Sequence, residues 1–133
     1  LEKSVRDISG GKESILFVDD EESMVNLNRQ RLERLGYDVT GMTNPVDALD
    51  LFRQDPEAFD LIITDMTMPK MTGDKLVREI FEIRPDVPII LCTGYSEKIS
   101  KENAQEIGIR KYIEKPIEKE TLARSVREVL DGE

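Results

Sequence analysis

The chain has 133 residues and a formal net charge of −9, from 19 Lys plus Arg against 28 Asp plus Glu, which suits one domain with one core and disfavours a nucleic-acid backbone as partner. One cysteine and no histidine exclude an intrachain disulfide, Ser/His/Asp and Cys/His triads, and imidazole metal ligands. No apolar run approaches the roughly 18 residues of a membrane span and the N-terminus lacks a signal-peptide core, so the default expectation is a cytoplasmic location.

Residues 1–12 (LEKSVRDISGGK) are polar, do not start with Met and end in Gly10-Gly11. They read as a linker or expression remnant ahead of a domain over 13–133. The first apolar run is 15–18. Met24, Leu27, Leu32 and Leu35 then share a helical face, with Gly36 where a helix terminates. A weaker run over 37–42 follows, and Asn44-Pro45 is an N-cap with a first-turn proline leading into Ala48, Leu51 and Phe52. After the run at 61–64, Leu76, Ile80 and Ile83 space a third helix that must stop before Pro85, and Pro88 restarts the chain in extended form. The run at 89–92 is followed by a fourth helix marked by Ile99, Ala104 and Ile107 and closed by Gly108. A weaker run at 110–113 precedes a last helix marked by Leu122, Val126, Val129 and Leu130.

Five strand-helix alternations with connections of this length imply an α/β fold. Its parallel sheet has helices on both faces, because parallel neighbours need crossovers and both sheet faces then need cover. Ligands in such sheets bind outside the carboxyl ends of the strands. Those ends carry Asp19 and Asp20 after the first strand, Asp65 after the third, Thr93 after the fourth and Lys115 after the fifth. Taken singly, each is more ordinarily a cap, a turn residue or a solvated charge. Together they gather acids, a hydroxyl and an ammonium at one edge.

The stretch ILFVDDEE (15–22) sharpens the point, since it runs four apolar residues into four carboxylates. Two carboxylates about 4 Å apart repel by roughly 4 kcal/mol at an effective dielectric of about 20, so the cluster calls for a cation. Asp20 and Asp65 are suitable oxygen donors for Mg²⁺, with Asp19 holding a metal-bound water. One carboxylate could then attack phosphorus to form an aspartyl phosphate, with Lys115 neutralising the transferring oxygens and Thr93 donating to the product.

Residues 14–130 resemble a receiver domain of the two-component response-regulator family. The resemblance rests on the acidic pair after the first strand, the Asp in DMTMPKMTG, the Thr-Gly after the fourth strand and the Lys-Pro in YIEKP. It implies a flavodoxin-like (βα)5 doubly wound sandwich with strand order 2-1-3-4-5, an order for which a family member serves as a standard example. Asp65 would be the phosphoacceptor, fed by a phosphohistidine on a histidine kinase or histidine phosphotransfer protein. Mg²⁺ would lie on Asp20, Asp65, the Thr67 carbonyl and, through water, Asp19. Thr93 and Tyr112 would be the switch pair that remodels the surface of the fourth helix, fifth strand and fifth helix. Thr67 and Tyr95 would flank the attacking water and set the phosphate lifetime, and the Lys115-Pro116 peptide would be cis.

Thr72 stands where an Asp is frequent in the family, which implies a different cap for the third helix. Cys92 reads as a small buried hydrophobe, and Met66, Met68 and Met71 as loop packing. The tail at Asp131-Gly132 and the Gly-Gly segment suit a receiver taken from a longer chain, and GYSEKISKENAQEIGIRKYIEKP resembles receivers of hybrid histidine kinases. Output would pass through a downstream protein effector or fused domains, without direct contact to nucleic acid or membrane. Two other readings compete: a Mg²⁺-dependent aspartyl-phosphate phosphohydrolase and a degenerate receiver that only binds. The first wants a second Asp two residues past the nucleophile, where this chain has Thr67.

Overall fold

The computed structural model describes residues 10–94 and 105–132. Five strands, β1 (Ser14–Val18), β2 (Asp38–Met42), β3 (Leu61–Asp65), β4 (Ile89–Thr93) and β5 (Lys111–Glu114), form one sheet in the order β2-β1-β3-β4-β5. All four neighbouring pairs are parallel. The connecting helices are α1 (Glu22–Glu33), α2 (Pro45–Gln54), α3 (Gly73–Ile83), α4, whose described part is 105–107, and α5 (Lys119–Leu130). This is the flavodoxin-like doubly wound arrangement. Ile99, Ala104 and Tyr95 lie outside the described residues.

Side chains alternate across the pleat and divide the core into two layers. Leu16, Val18, Ile62, Ile89 and Leu91 meet Ala48, Phe52, Leu76 and Ile80 of α2 and α3. Ile15, Phe17, Ile63, Ile90 and Ile113 meet Val25 and Leu32 of α1 and Leu122, Val126 and Val129 of α5. Every residue of β3 and β4 is buried, as expected of central strands covered on both faces. Each fully buried Ile, Leu or Phe contributes about 1.5–3 kcal/mol relative to exposure.

Local signals set the helix ends. The Asn44 side chain accepts from the amides of Val46 at 2.9 Å and Asp47 at 3.4 Å, ahead of Pro45 at the first helical turn. Gly36 has a φ of 103°, the left-handed conformation that ends α1. Thr72 is the N-cap of α3 but makes no side-chain capping hydrogen bond.

The buried face of α1 departs from the apolar pattern. Val25, Asn28 and Leu32 are buried, whereas Leu27 is 42% exposed. A fully buried asparagine occupies a position that hydrophobicity alone assigns to the polar side, so the buried face is rotated by about one residue from the apolar stripe. Gly10 and Gly11, in the segment read as linker, touch the domain. The Gly11 amide donates to the Leu35 carbonyl at 3.2 Å, the Gly10 carbonyl accepts from Arg127 at 3.1 Å, and a Cβ on Gly10 would overlap Leu35.

Candidate phosphoryl-acceptor site

The carboxyl edge gathers residues from β1, β3, β4 and β5. Asp19 follows β1 and is buried; its amide donates to the Met42 carbonyl at 3.1 Å, and its Oδ1 accepts from the Glu21 amide at 3.0 Å just ahead of α1. The carboxylate thus also orders the entry to α1, and Glu22 in the first turn complements the helix dipole. Asp65 closes β3 and is buried. Its Oδ1 lies 2.7 Å from Nζ of Lys115, which also stands 3.9 Å from Oδ2 of Asp19.

One carboxylate oxygen from each of Asp19, Asp20 and Asp65 lies within 4.8 Å of the others, with Asp20 exposed and the other two buried. Three hard anionic donors with one solvent-facing side fit Mg²⁺, which accepts a few carboxylates and retains water. Thr67 is exposed in the β3–α3 loop. The residues present therefore suit the ion the sequence implies.

Burial raises the pKa of Asp19, and Asp20 and Glu21 add repulsion, against the opposing pull of the Glu21 amide and Lys115. Burial alone would lower Lys115, but its hydrogen bond to Asp65 and the charges of Asp65 and Asp19 outweigh this and hold it above its ordinary value. Among the described residues, Lys115 is thus a cation that faces more negative charge than it can neutralise.

Thr93 is buried at the end of β4, and Lys115 donates its amide to the Thr93 carbonyl at 2.7 Å. Tyr112 is half-buried on β5. In register, Tyr112 pairs with Leu91 and Glu114 with Thr93, so Thr93 and Tyr112 share one sheet face, one step apart along adjacent strands. The Lys115-Pro116 peptide is cis. Cys92 and Met68 are buried in the core, with Met66 and Met71 packed against it.

Gly73 contributes to the site although hydrophobic periodicity does not flag it. A Cβ there would overlap the Asp65 carbonyl and crowd Met66, so only glycine lets the first turn of α3 sit against the backbone of Asp65. The Gly73 amide donates to the Met66 carbonyl at 2.7 Å, closing the β3–α3 loop. The available sequence signal was the Thr-Gly step eight residues beyond Asp65.

Residues 15–127 match the family model described as "Response regulator receiver domain". A probable transcriptional regulator, ycf27, of Porphyra purpurea is 37% identical over 119 residues, covering 90% of this chain and 48% of that protein. The sensor kinase CckA of Brucella abortus (strain 2308) is 30% identical over 125 residues, covering 94% of this chain and 13% of the kinase. Among solved structures, a response regulator receiver domain protein from Clostridium thermocellum superposes with a TM-score of 0.85 at 28% identity, covering 90% of this chain and 95% of that one. The chain spans about half the length of the regulators it matches. The shared fold and the family model lead to one conclusion: the chain belongs to the response regulator receiver domain family.

Proposed function

We propose that this domain is a phosphorelay receiver in which Asp65 accepts a phosphoryl group from a phosphohistidine on a histidine kinase or histidine phosphotransfer protein. The observation that carries the reading is the juxtaposition of Asp65, 2.7 Å from the Lys115 ammonium, with two further carboxylates from β1. An Asp65 oxygen attacks phosphorus, and a P–O bond forms as the P–N bond to the partner's imidazole breaks. Lys115 neutralises part of the charge on the transferring oxygens, and the Thr93 hydroxyl donates to the product phosphate. Asp20, Asp65 and the Thr67 carbonyl, with Asp19 through a water, would hold Mg²⁺, which would supply the remaining positive charge. Thr67 and Tyr95 govern how long the phosphate survives.

Phosphorylation replaces the single carboxylate charge of Asp65 with a phosphoryl group that carries about −1.5 to −2. Thr93 moves toward the new oxygens and Tyr112 turns inward on the same sheet face, changing the α4-β5-α5 surface. That surface addresses a protein effector or domains fused to this one, so neither nucleic acid nor membrane is contacted directly. The likeness to a sensor kinase supports a hybrid-kinase parent, and the likeness to transcriptional regulators supports a regulator parent. No helix among the described residues is long and apolar enough to cross a membrane. A cytoplasmic location belongs to the same proposal.

The test is incubation with acetyl phosphate and Mg²⁺ followed by intact-protein mass. One phosphoryl mass is expected, absent without Mg²⁺ and absent in Asp65→Asn. A folded wild-type protein that gains no phosphoryl mass would instead be a binding module.

A further inference from the structure

We propose that Asn28 and Arg31 of α1 are positioning residues for Lys115, clamping the β5–α5 loop so that the ammonium stays over Asp65. The inference rests on the role given to Lys115 above and extends it to a helix that supplies no group to the reaction. Lys115 is anchored on its amino side by its amide, 2.7 Å from the Thr93 carbonyl. Two residues later Ile117 is buried, and its carbonyl accepts from Nη1 of Arg31 at 2.9 Å. The same Nη1 donates to Oδ1 of Asn28 at 3.1 Å, and Nδ2 of Asn28 donates to the Met24 carbonyl at 3.0 Å. An unbroken series of hydrogen bonds therefore runs from the α1 backbone to the loop that carries Lys115.

Asn28 is the strongest clue. It is fully buried on a helix face whose other buried members are Val25 and Leu32. Burying an amide is unfavourable unless its hydrogen bonds are satisfied, and an apolar residue would serve a purely structural face better. What the asparagine adds is an acceptor that aims a guanidinium, which then forms a charge-assisted bond to the Ile117 carbonyl. The loop also lacks a restraint it would otherwise have, because Glu118 is the N-cap of α5 and makes no side-chain capping hydrogen bond. Arg31 ties down the entry to α5 from outside the helix.

Arg31→Met tests the clamp, since it keeps an unbranched stem for packing and removes the donors. Phosphoryl uptake is measured with acetyl phosphate, so that docking of a protein partner does not enter. Small displacements of a reacting group carry large rate penalties, and uptake is expected to slow about tenfold. Mg²⁺ affinity, measured by calorimetry, stays unchanged, and the Lys115 amide exchanges faster with solvent in the unphosphorylated protein. Arg31→Lys recovers part of the rate.

In a Lys115→Ala background, Arg31→Met should change uptake by less than about twofold, because a residue acting through Lys115 has nothing left to position. A wild-type rate in Arg31→Met, or losses that multiply in the double variant, would overturn the proposal. If Lys115→Ala alone leaves uptake at the wild-type rate, the role given to Lys115 fails; the clamp is then judged by exchange of the Lys115 amide, and unchanged exchange overturns it.

Discussion

The two edges of the sheet use the same materials in opposite ways. At the amino edge, Arg127 meets Glu13 at 2.7 Å, Asp131 at 2.8 Å, the Tyr37 hydroxyl at 3.2 Å and the Gly10 carbonyl at 3.1 Å. At the carboxyl edge, among the described residues, one ammonium serves a cluster of three carboxylates. The hydrogen bond from Arg127 holds Glu13 below its ordinary pKa, while burial pushes Asp19 above its own. One edge is matched donor to acceptor around a single guanidinium and tightens the fold; the other, among the described residues, sets one ammonium against three carboxylates, as the proposed cation and phosphoryl site requires. The proposed receiver chemistry would thus be built on a deficit that the rest of the structure must tolerate.

The largest effect should come from breaking the matched edge. Arg127→Ala removes the partner of two carboxylates, a phenol and a backbone carbonyl at once, and should destabilise the protein by about 2–3 kcal/mol in urea melts. It should also raise solvent exchange at Gly11, whose neighbour Gly10 loses its anchor. Phosphoryl uptake at the far edge should change little, since the two charge clusters lie at opposite ends of the strands. A second perturbation targets the deficient edge without altering charge. Gly73→Ala sets a Cβ against the Asp65 carbonyl, so a loss of about 2 kcal/mol together with slower uptake is expected, read by the same melts and by intact mass.

Asp19→Asn should act in the opposite direction and stabilise the metal-free protein. A carboxylate with a raised native pKa binds more protons folded than unfolded, so its contribution to stability falls as pH rises from its ordinary value of 3.8 through the native value. At neutral pH the variant should gain about 1 kcal/mol, well below the roughly 4 kcal/mol of a bare pair, because Lys115 compensates part of the repulsion. Mg²⁺ affinity should fall at the same time. Urea midpoints with and without Mg²⁺ measure both effects, and a lower midpoint for the metal-free variant would show that repulsion is not the governing interaction.

Much of this contrast was legible in the sequence, for reasons that differ by residue. Strand-helix alternation and the buried runs at β1, β3 and β4 express burial on both faces, so sheet type followed directly. The strand order came from resemblance, because periodicity carries no information about which strands are neighbours. Asp19, Asp20, Asp65, Thr93 and Lys115 were visible because polar residues directly after apolar runs mark strand ends. Asn28 and Gly73 were not marked in this way. The first is polar yet buried, which reverses the sign on which hydrophobic periodicity depends. The second acts by lacking a side chain, and that matters only once α3 lies against the backbone of Asp65. The Arg127 network was equally hidden, since its bond to Glu13 joins residues 114 positions apart.

The smallest effect isolates one contact of the matched edge. Glu13 has its pKa lowered mainly by the hydrogen bond from Arg127, with burial opposing. A carboxyl with a depressed native pKa contributes stability that is complete above its ordinary value of 4.5 and is lost as pH falls through the native value. Glu13→Gln should therefore destabilise by about 1 kcal/mol at neutral pH, a modest figure because the pair is partly exposed. The gap between variant and wild type should close as pH falls through that acidic window, where Glu13 protonates and the two side chains become nearly equivalent. Urea melts across the range follow that closing gap. A gap that stays constant with pH would mean that Glu13 contributes through packing or a neutral hydrogen bond, and the ionic part of the Arg127 network would then rest on Asp131 instead.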